Sequence, residues 1–265
     1  MSKGVNAATG TGIAAHTPAG ADAAPPAEAR CNRIRRARIV VVGEFNSGKT
    51  TVVNALVGAP VLTPGCVAHT THLTVVGYAA KPSLTAEAAN RKRTSVTWNH
   101  LDDDVAPNDI RRLHVGAPLE CLKKFRVVDT PGLGFADSES DRRSLQACRG
   151  ADVVIWCTPA MQAWKASEEK AWLALPKTVR ARGVLAVTFG DEIATQSDLE
   201  RLKERLRAEA GPYFRNVVMA DECAALALEM IQRGKQLQAG LQDGRAQRSG
   251  RRRKRTAALS VMSRA

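Results

Sequence analysis

The stretch that most constrains the fold of this chain is an octapeptide between two apolar runs, Gly43-Glu44-Phe45-Asn46-Ser47-Gly48-Lys49-Thr50. The run before it, Ile39–Val42, predicts a buried strand, and the run after it, Thr50–Leu56, predicts the start of a helix. A strand, a turn bounded by glycines and a Lys-Thr pair that opens a helix make up the phosphate-binding P-loop. Because both required flanks are present, a chance match to a short pattern is the weaker interpretation.

Each residue type in this loop has a physical role in holding phosphate. Gly43 and Gly48 let the backbone turn until several N–H groups point at one anion, and the helix N-terminus adds its dipole. Lys49 is expected to bridge the β- and γ-phosphate oxygens, and the Thr50 hydroxyl is expected to be a ligand for Mg²⁺. The nucleotide-binding residues predicted in this part of the chain are Gly43, Glu44, Phe45, Asn46, Ser47, Gly48, Lys49, Thr50 and Thr51.

Composition narrows the class of protein. A chain of 265 residues suggests one core, alone or with extensions, and 44% hydrophobic against 4% aromatic residues indicates that this core is built mainly from Val, Leu, Ala and Ile. No apolar run approaches the roughly 20 residues of a membrane-spanning helix, and residues 1–30 lack the apolar centre of a secretory signal. The six cysteines are scattered without metal-ligand spacing, which favours free thiols in a reducing cytoplasm.

The net charge of +13 is concentrated in two places, residues 30–38 and 245–264. Such clusters indicate phosphate-bearing partners, namely nucleotide, nucleic acid or anionic lipid. Residues 1–29 are predicted to be a disordered leader, because their Ala, Gly, Thr and Pro cannot bury enough surface to offset ordering. Residues 244–265 are predicted to be a basic disordered tail, with ordering on a partner as the alternative.

Between these ends, short apolar strands alternate with helical stretches, which predicts an α/β fold around a mostly parallel sheet. Within the polar, turn-rich residues 80–112, residues 94–98 are the best strand candidate and residues 108–112 predict a helical turn. Ser197 is the expected N-cap of a helix, with Glu200 completing a capping box. Further strands are predicted at 73–78, 113–115, 125–128, 153–156, 184–187 and 217–219, and helices at 139–148, 167–175, 197–210 and 224–242.

Two further stretches are expected to meet the nucleotide phosphates. Asp129-Thr130-Pro131-Gly132 follows a predicted strand, so Asp129 can hold Mg²⁺ through water while Gly132 donates its N–H to the γ-phosphate. Thr70 and Thr71 lie in a polar loop after the first helix, where a threonine can be a second side-chain ligand of the metal. Thr71 is the preferred candidate, Thr70 stays open, and two ordinary loop threonines are the alternative.

Base recognition is expected after the strand at 184–187, where the chain reads Thr188-Phe189-Gly190-Asp191. The Asp191 carboxylate can accept from guanine N1–H and the exocyclic amine, groups that adenine does not offer in this way. Phe189 occupies the position where GTPases usually have a lysine, and its ring can stack on the base instead. Ala220, after the strand at 217–219, is a weaker candidate, since its N–H can meet guanine O6.

These motifs resemble a known family. Gly43–Thr51 together with Val53–Leu56 resembles the P-loop of bacterial dynamin-like GTPases, and Val61–Tyr78 resembles the same family and mitofusins, whose switch loop carries a similar His-Thr-Thr. The resemblance covers residues 37–243 and implies a P-loop NTPase of the Ras-like GTPase type that hydrolyses GTP to GDP and phosphate. The chain has no room for the long helical stalk that such families add, so membrane remodelling is less expected than hydrolysis.

The resemblance also implies how hydrolysis proceeds. Ras-like enzymes place a glutamine directly after Asp-x-x-Gly to orient water, and the residue here is Leu133. Dynamin-like GTPases share this lack and stabilise the transition state from the fourth P-loop position, often with a monovalent cation. That position is Asn46, so Asn46, Lys49 and Thr71 are the predicted catalytic residues, with K⁺ and a face-to-face homodimer or paired GTPase.

Three readings of the whole protein follow from these predictions. The first is a dimerising GTPase of the cytoplasm, peripheral at the inner face of the membrane, with the arginine-rich tail as an electrostatic anchor. The alternatives are a GTPase of ribosome or RNA assembly, with the tail on nucleic acid, and a GTP-binding module with little hydrolysis. Among the tryptophans, Trp156 and Trp172 are predicted core residues, whereas Trp164 and Lys165 belong either to an ordinary loop or to a dimer surface.

Overall fold

A nine-stranded sheet runs through the computed structural model, which describes residues 36–63, 72–98, 110–134, 138–234 and 236. In this part of the chain the strands are β1 (Ala37–Gly43), β2 (Leu73–Tyr78), β3 (Ser83–Ala88), β4 (Arg93–Ser95), β5 (Ile110–Ala117), β6 (Phe125–Asp129), β7 (Val153–Pro159), β8 (Gly183–Thr188) and β9 (Asn216–Met219). Their order across the sheet is β4-β3-β5-β2-β6-β1-β7-β8-β9.

Helices connect the strands. They are α1 (Lys49–Val57), α2 (Cys121–Lys124), α3 (Glu139–Cys148), α4 (Ala166–Leu173), α5 (Lys177–Arg180), α6 (Gln196–Glu209) and α7 (residues 223–234). No helix among the described residues is long and apolar enough to span a membrane.

The parallel half of the sheet brings its loops together. β1 pairs in parallel with β6 and β7, and the parallel pairing continues through β8 to β9. Because the carboxyl ends of parallel strands meet at one edge, the loops after β1, β6, β7, β8 and β9 converge there. β2 is antiparallel to β6, and β3 with β4 adds an antiparallel extension beyond β5. The predicted α/β fold with a mostly parallel sheet is confirmed.

The core lies on both faces of the sheet, as a buried parallel sheet requires. Alternate residues of β1 point to opposite faces: Ile39 packs with the apolar face of α1, and Val40 packs on the other side with Trp156. Ile39 and the three valines that follow it are fully buried, which explains why this stretch contains no polar residue.

Several predicted boundaries are wrong. Ser197 is not the N-cap of α6, because the Thr195 hydroxyl accepts from Asp198 N at 3.1 Å and the helix begins at Gln196. Residues 110–112 form no helical turn but open β5, which is held between β2 and β3. β3 was not predicted, and β4 is shorter than the expected strand at 94–98.

Other predictions fall on residues outside the described ranges. The leader at 1–29, the tail at 244–265, Thr70, Thr71 and the helix beyond residue 236 stay predictions. The four described cysteines, Cys121, Cys148, Cys157 and Cys223, are free thiols, as expected for them.

Candidate nucleotide-binding site

The loop between β1 and α1 depends on two glycines. A Cβ on Gly43 would lie 2.3 Å from the carbonyl oxygen of Cys157 on the neighbouring strand, so no larger residue fits. Gly48 has φ 73°, in the left-handed region, and a Cβ there would lie 3.1 Å from the side chain of Thr188. The loop therefore turns tightly against the ends of β7 and β8, and Asn46 turns with it at φ 58°.

Lys49 is placed among acceptors at the start of α1. Its side chain is largely buried, and its ammonium donates to the Glu44 carbonyl at 2.6 Å. Burial lowers the pKa of Lys49, and the negative charge of Asp129 opposes that shift. A cation held in this way at the mouth of the loop is suited to anionic phosphate oxygens.

Thr50 and Asp129 meet beside this lysine. The parallel register that pairs Val41 with Asp129 puts the end of β6 next to the P-loop, and the Thr50 hydroxyl donates to Asp129 Oδ2 at 3.0 Å. Asp129 is 1% exposed, and burial raises its pKa to about 6 against the opposing charge of Lys49. Its other oxygen, Oδ1, is buried without a hydrogen-bond partner.

This pair fits a magnesium site. A hydroxyl and an unsatisfied carboxylate oxygen are the hard oxygen donors that Mg²⁺ takes, usually with one or two protein ligands besides water and phosphate. No group of three or more His, Cys, Asp or Glu residues in the described ranges is arranged to hold a metal by itself. The donor set therefore suits an ion that shares its coordination with phosphates rather than a closed protein cage.

The segment after β6 is fastened to the P-loop by backbone contacts. Leu133 N donates to Gly43 O at 3.0 Å, and Phe45 N donates to Leu133 O at 3.3 Å. Gly132 lies so close that a Cβ there would be 2.7 Å from Phe45 Cα. The Leu133 side chain is 2% exposed and packs into the core, so it cannot orient a water molecule at this edge.

The predicted base-recognition residues lie at the same edge. The Thr188 hydroxyl donates to Ser47 O at 3.0 Å, which joins the end of β8 to the P-loop. Phe189 has φ 56°, uncommon for a bulky residue, and its ring edge approaches Gly48. Asp191 is exposed in the short 3₁₀ turn that follows. Ala220 opens the corresponding turn after β9.

The structure thus brings together the residues from Gly43 to Thr50 with Asp129, Gly132, Thr188 and Phe189. Thr51 lies exposed on α1, one residue past the predicted metal ligand.

The Glu44 carboxylate is directed to the segment after β7, where it accepts from Ser167 Oγ at 3.1 Å and pairs with Lys165 Nζ. Sequence reasoning missed this contact.

The tryptophan predictions divide. Trp156 and Trp172 are fully buried, as predicted, with ring centroids 5.6 Å apart. Trp164 is 8% exposed, and its ring packs 5.0 Å from that of Phe214, so a dimer-surface role for its ring is wrong. The ring is already covered within this chain.

The chain is similar in sequence to several known proteins. The sequence profile described as the Dynamin family matches residues 39–190. Dynamin-like protein 2 of Campylobacter jejuni is 25% identical over 193 residues, which are 71% of this chain and 31% of that protein. The probable transmembrane GTPase FZO-like, chloroplastic, of Arabidopsis thaliana is 29% identical over 195 residues, 72% of this chain and 19% of its own length. Isoniazid-induced protein IniA of Mycobacterium tuberculosis is 30% identical over 186 residues, 65% of this chain and 28% of its own length.

Solved structures give the same result for the fold. One chain of an oligomerised bacterial dynamin pair, described as providing a mechanism for the long-range sensing and tethering of membranes, superposes with a TM-score of 0.56 at 22% identity. The superposition covers 75% of this chain and 34% of the other. The chain therefore spans about a third or less of the length of the relatives it matches.

Proposed function

The chain belongs to the dynamin family, and on that premise we propose that it binds GTP and hydrolyses it to GDP and phosphate. One observation carries the proposal: Thr50 donates to Asp129 at 3.0 Å while the second oxygen of that buried carboxylate has no partner. A buried, half-satisfied carboxylate is costly unless a ligand completes it. Residues 37–243 form the proposed GTPase domain.

Thr50 and Asp129 would hold Mg²⁺, with Thr71 or Thr70 as a further ligand. The ion neutralises negative charge on the β- and γ-phosphate oxygens when it is bound. Lys49 bridges the same oxygens, the loop from Gly43 to Thr51 surrounds them, and Gly132 donates its backbone N–H to the γ-phosphate. These roles agree with the convergence of β1, β6 and α1 at one edge of the sheet.

Guanine recognition belongs to the loop after β8. The Asp191 carboxylate accepts from guanine N1–H and the exocyclic amine, and the Phe189 ring takes the place of the usual lysine stem over the base. Thr188 holds this loop against the P-loop through its bond to Ser47. Ala220 offers its N–H to guanine O6.

Catalysis, as proposed, is completed by a second copy of the chain. Leu133 is buried and apolar, so the charge that develops in the transition state must be met from elsewhere. Asn46 has a left-handed backbone and is exposed in the P-loop, and its side-chain oxygen would hold K⁺, which would supply positive charge to the transition state. Phe45 is 59% and Met161 68% exposed, and these apolar side chains follow the adjacent strands β1 and β7 at the nucleotide edge. Such exposed apolar residues favour a face-to-face dimer there.

Phosphate release tests the hydrolysis. We expect the full chain with Mg²⁺ to release phosphate from GTP and not from ATP, and Lys49→Ala to abolish the release. Lys81→Ala, an exposed lysine in the turn between β2 and β3, is the matched control and should leave the rate unchanged. Equal rates on ATP, or full activity in Lys49→Ala, would contradict the proposal. Binding of GTP without any release would favour the GTP-binding module with little hydrolysis.

The dependence of GTP turnover on protein concentration and on K⁺ tests the proposed dimerisation. Turnover per molecule should rise with protein concentration and with K⁺ in place of Na⁺, and Asn46→Ala should remove the dependence on K⁺. A turnover per molecule that is independent of both protein concentration and K⁺ would overturn the dimer mechanism while leaving GTP binding intact.

Association with a membrane surface is the favoured setting. The arginine-rich residues 245–264 carry no acidic residue, and attraction to anionic lipid is worth about 1 kcal/mol per basic residue near the surface. We therefore place the protein in the cytoplasm, peripheral at the inner face of the membrane. Co-sedimentation with anionic liposomes that is lost on removal of residues 244–265 supports this setting. Tail-dependent RNA binding without lipid binding would favour the role in ribosome or RNA assembly.

A further inference from the structure

Glu44 is an anion in a loop that is proposed to bind anions. Its carboxylate belongs to the second residue of the P-loop, and its side chain is 14% exposed. A nucleotide in the proposed site brings the negative charge of its phosphates to the same loop. An uncompensated carboxylate there would oppose phosphate binding by like-charge repulsion, which little solvent would screen.

Two side chains from the segment after β7 bind the Glu44 carboxylate and offset its negative charge. Lys165 Nζ forms an ion pair with Glu44 Oε2, and Ser167 Oγ donates to Glu44 Oε1 at 3.1 Å. Both carboxylate oxygens are therefore bonded, by residues 121 and 123 positions along the chain. Neither side chain belongs to a motif that the family resemblance or the nucleotide geometry singles out.

The segment that carries Lys165 is itself held in place by a buried carboxylate. Glu168 is fully buried and accepts from Lys165 N, Trp156 Nε1 and Thr158 Oγ1, each at 3.0 Å. Trp156 and Thr158 lie on β7, the direct neighbour of β1. The backbone of Lys165 is thus fixed relative to the strand that leads into the P-loop, so pairing with Glu44 costs mainly the rotational freedom of the lysine side chain.

The paired residue also contacts the P-loop lysine. Glu44 O accepts from Lys49 Nζ at 2.6 Å, so one residue offers its carboxylate to Lys165 and its carbonyl to Lys49. The bonds on the carboxylate restrict rotation of the Glu44 side chain, while the carbonyl of the same residue holds the Lys49 ammonium.

We propose that Lys165 is a positioning residue for phosphate binding, which neutralises the Glu44 carboxylate and, with Ser167, anchors the P-loop to the segment after β7. The inference rests on the proposed function, because it concerns the same nucleotide site. In this role Lys165 acts through its ion pair with Glu44.

Calorimetric titration of the full chain with GDP and Mg²⁺ tests this role. Lys165→Met removes the cation paired with the Glu44 carboxylate, leaves only the bond from Ser167, and should weaken GDP binding about tenfold, a typical effect of losing a hydrogen bond to a charged group. The double variant Glu44→Gln/Lys165→Met removes both charges and should recover affinity to within about threefold, since the two residues form one coupled pair. Lys165→Arg should bind like the unaltered chain.

Controls separate this role from a loss of folding. Lys170→Met changes an exposed lysine on α4, the helix that begins directly after Lys165, and should leave GDP affinity unchanged. Ser167→Ala keeps the ion pair, so it should weaken GDP binding less than Lys165→Met does, by about two- to threefold, at the low end of the range for one hydrogen bond. If Lys165→Met does not fold, Lys165→Arg and the double variant still decide the question, with melting temperature recorded for each.

The outcomes are distinct. Unchanged affinity in Lys165→Met overturns the inference, and so does a double variant that binds as weakly as the single one, because Lys165 would then not act through Glu44. Failure of the unaltered chain to bind any guanine nucleotide would overturn the proposed function, and the inference with it. Normal binding by the unaltered chain with no effect of Lys165→Met would overturn the inference alone.

Discussion

The Thr188 hydroxyl donates to the backbone carbonyl of Ser47 at 3.0 Å and so joins the loop after β8 to the P-loop across 141 residues of chain. The same hydroxyl lies 3.2 Å from Thr158 O, and Thr188 is 3% exposed. The loop proposed for the base and the loop proposed for the phosphates are therefore fixed to each other through one buried side chain.

Thr188→Val tests this connection, because valine has the same shape without the hydroxyl. The Ser47 carbonyl would lose its donor, so we expect a loss of about 1–3 kcal/mol in the free energy of unfolding. GDP affinity should also fall, because the two loops would no longer be fixed together. Urea unfolding and calorimetry measure the two effects. Thr94→Val, on the exposed strand β4, should change neither, and GDP affinity that survives in Thr188→Val would contradict the connection.

Leu133→Gln places the Ras-like glutamine in this chain. We expect no gain in GTP turnover, because the side chain at this position points into the core and not toward the nucleotide edge. We also expect a loss of stability of about 1–3 kcal/mol from burying an unpaired amide. Leu133→Met, of similar volume and apolar, is the control for stability. A rise in turnover would show that position 133 reaches the nucleotide.

Phe189→Ala tests whether the ring holds the base. Stacking of a base on an aromatic ring is worth about 1–3 kcal/mol, so GDP should bind about tenfold or more weakly. Pyrophosphate, which has no base, should bind as it does to the unaltered chain. An equal loss for GDP and pyrophosphate would assign Phe189 to the shape of the P-loop beside Gly48 instead.

The sequence predicts β1, α1 and the strand that ends at Asp129 well, because their signals are local. A continuous apolar run, glycines at fixed spacing and a lysine at a helix start leave few alternatives for Gly43 to Thr50. The antiparallel extension is different. β3 alternates small and polar side chains such as Ala86 and Glu87, and it becomes a strand by pairing with β5. Because β3 pairs with a strand that is distant in sequence, the residue pattern of β3 alone does not predict it.

Capping and charge pairing show the same limit. Thr195 and Ser197 each stand three residues before a carboxylate, Asp198 and Glu200 respectively, and only the extended backbone of Thr195 decides which of them is the N-cap. Lys165 and Glu44 are 121 residues apart, so nothing local in either stretch indicates their pairing. The fold brings β7 beside β1, and the contact follows from that neighbourhood.

A pH dependence of stability follows from Glu87 and His114, on β3 and β5. His114 Nε2 lies 2.8 Å from Glu87 Oε2, to which Arg93 also donates. Burial lowers the pKa of His114, against the opposing hydrogen bond to Glu87. Burial by itself would raise the pKa of Glu87. The hydrogen bonds from His114 and Arg93 have the larger combined effect, so the pKa of Glu87 is lowered below 4.5.

Both groups therefore bind protons more weakly in the folded chain than in the unfolded one. Stability from His114 is present above pH 6.5 and is lost as the pH falls through its folded pKa, and that from Glu87 is lost below pH 4.5. His114 should thus lower the free energy of unfolding from pH 7.5 to pH 5, whereas Asp129, whose pKa burial raises to about 6, should add stability over the same range. The difference between the unaltered chain and His114→Gln, which cannot titrate, isolates the His114 contribution, and in urea unfolding the unaltered chain should lose stability relative to His114→Gln as the pH falls. Identical pH profiles for the two chains would contradict this assignment.

The central claim is tested most directly by calorimetric titration of the full chain with GTP and with ATP, each with Mg²⁺. The account predicts binding of GTP and no comparable binding of ATP, with the GTP signal lost in Lys49→Ala. Equal binding of the two nucleotides, or binding of neither, would contradict it.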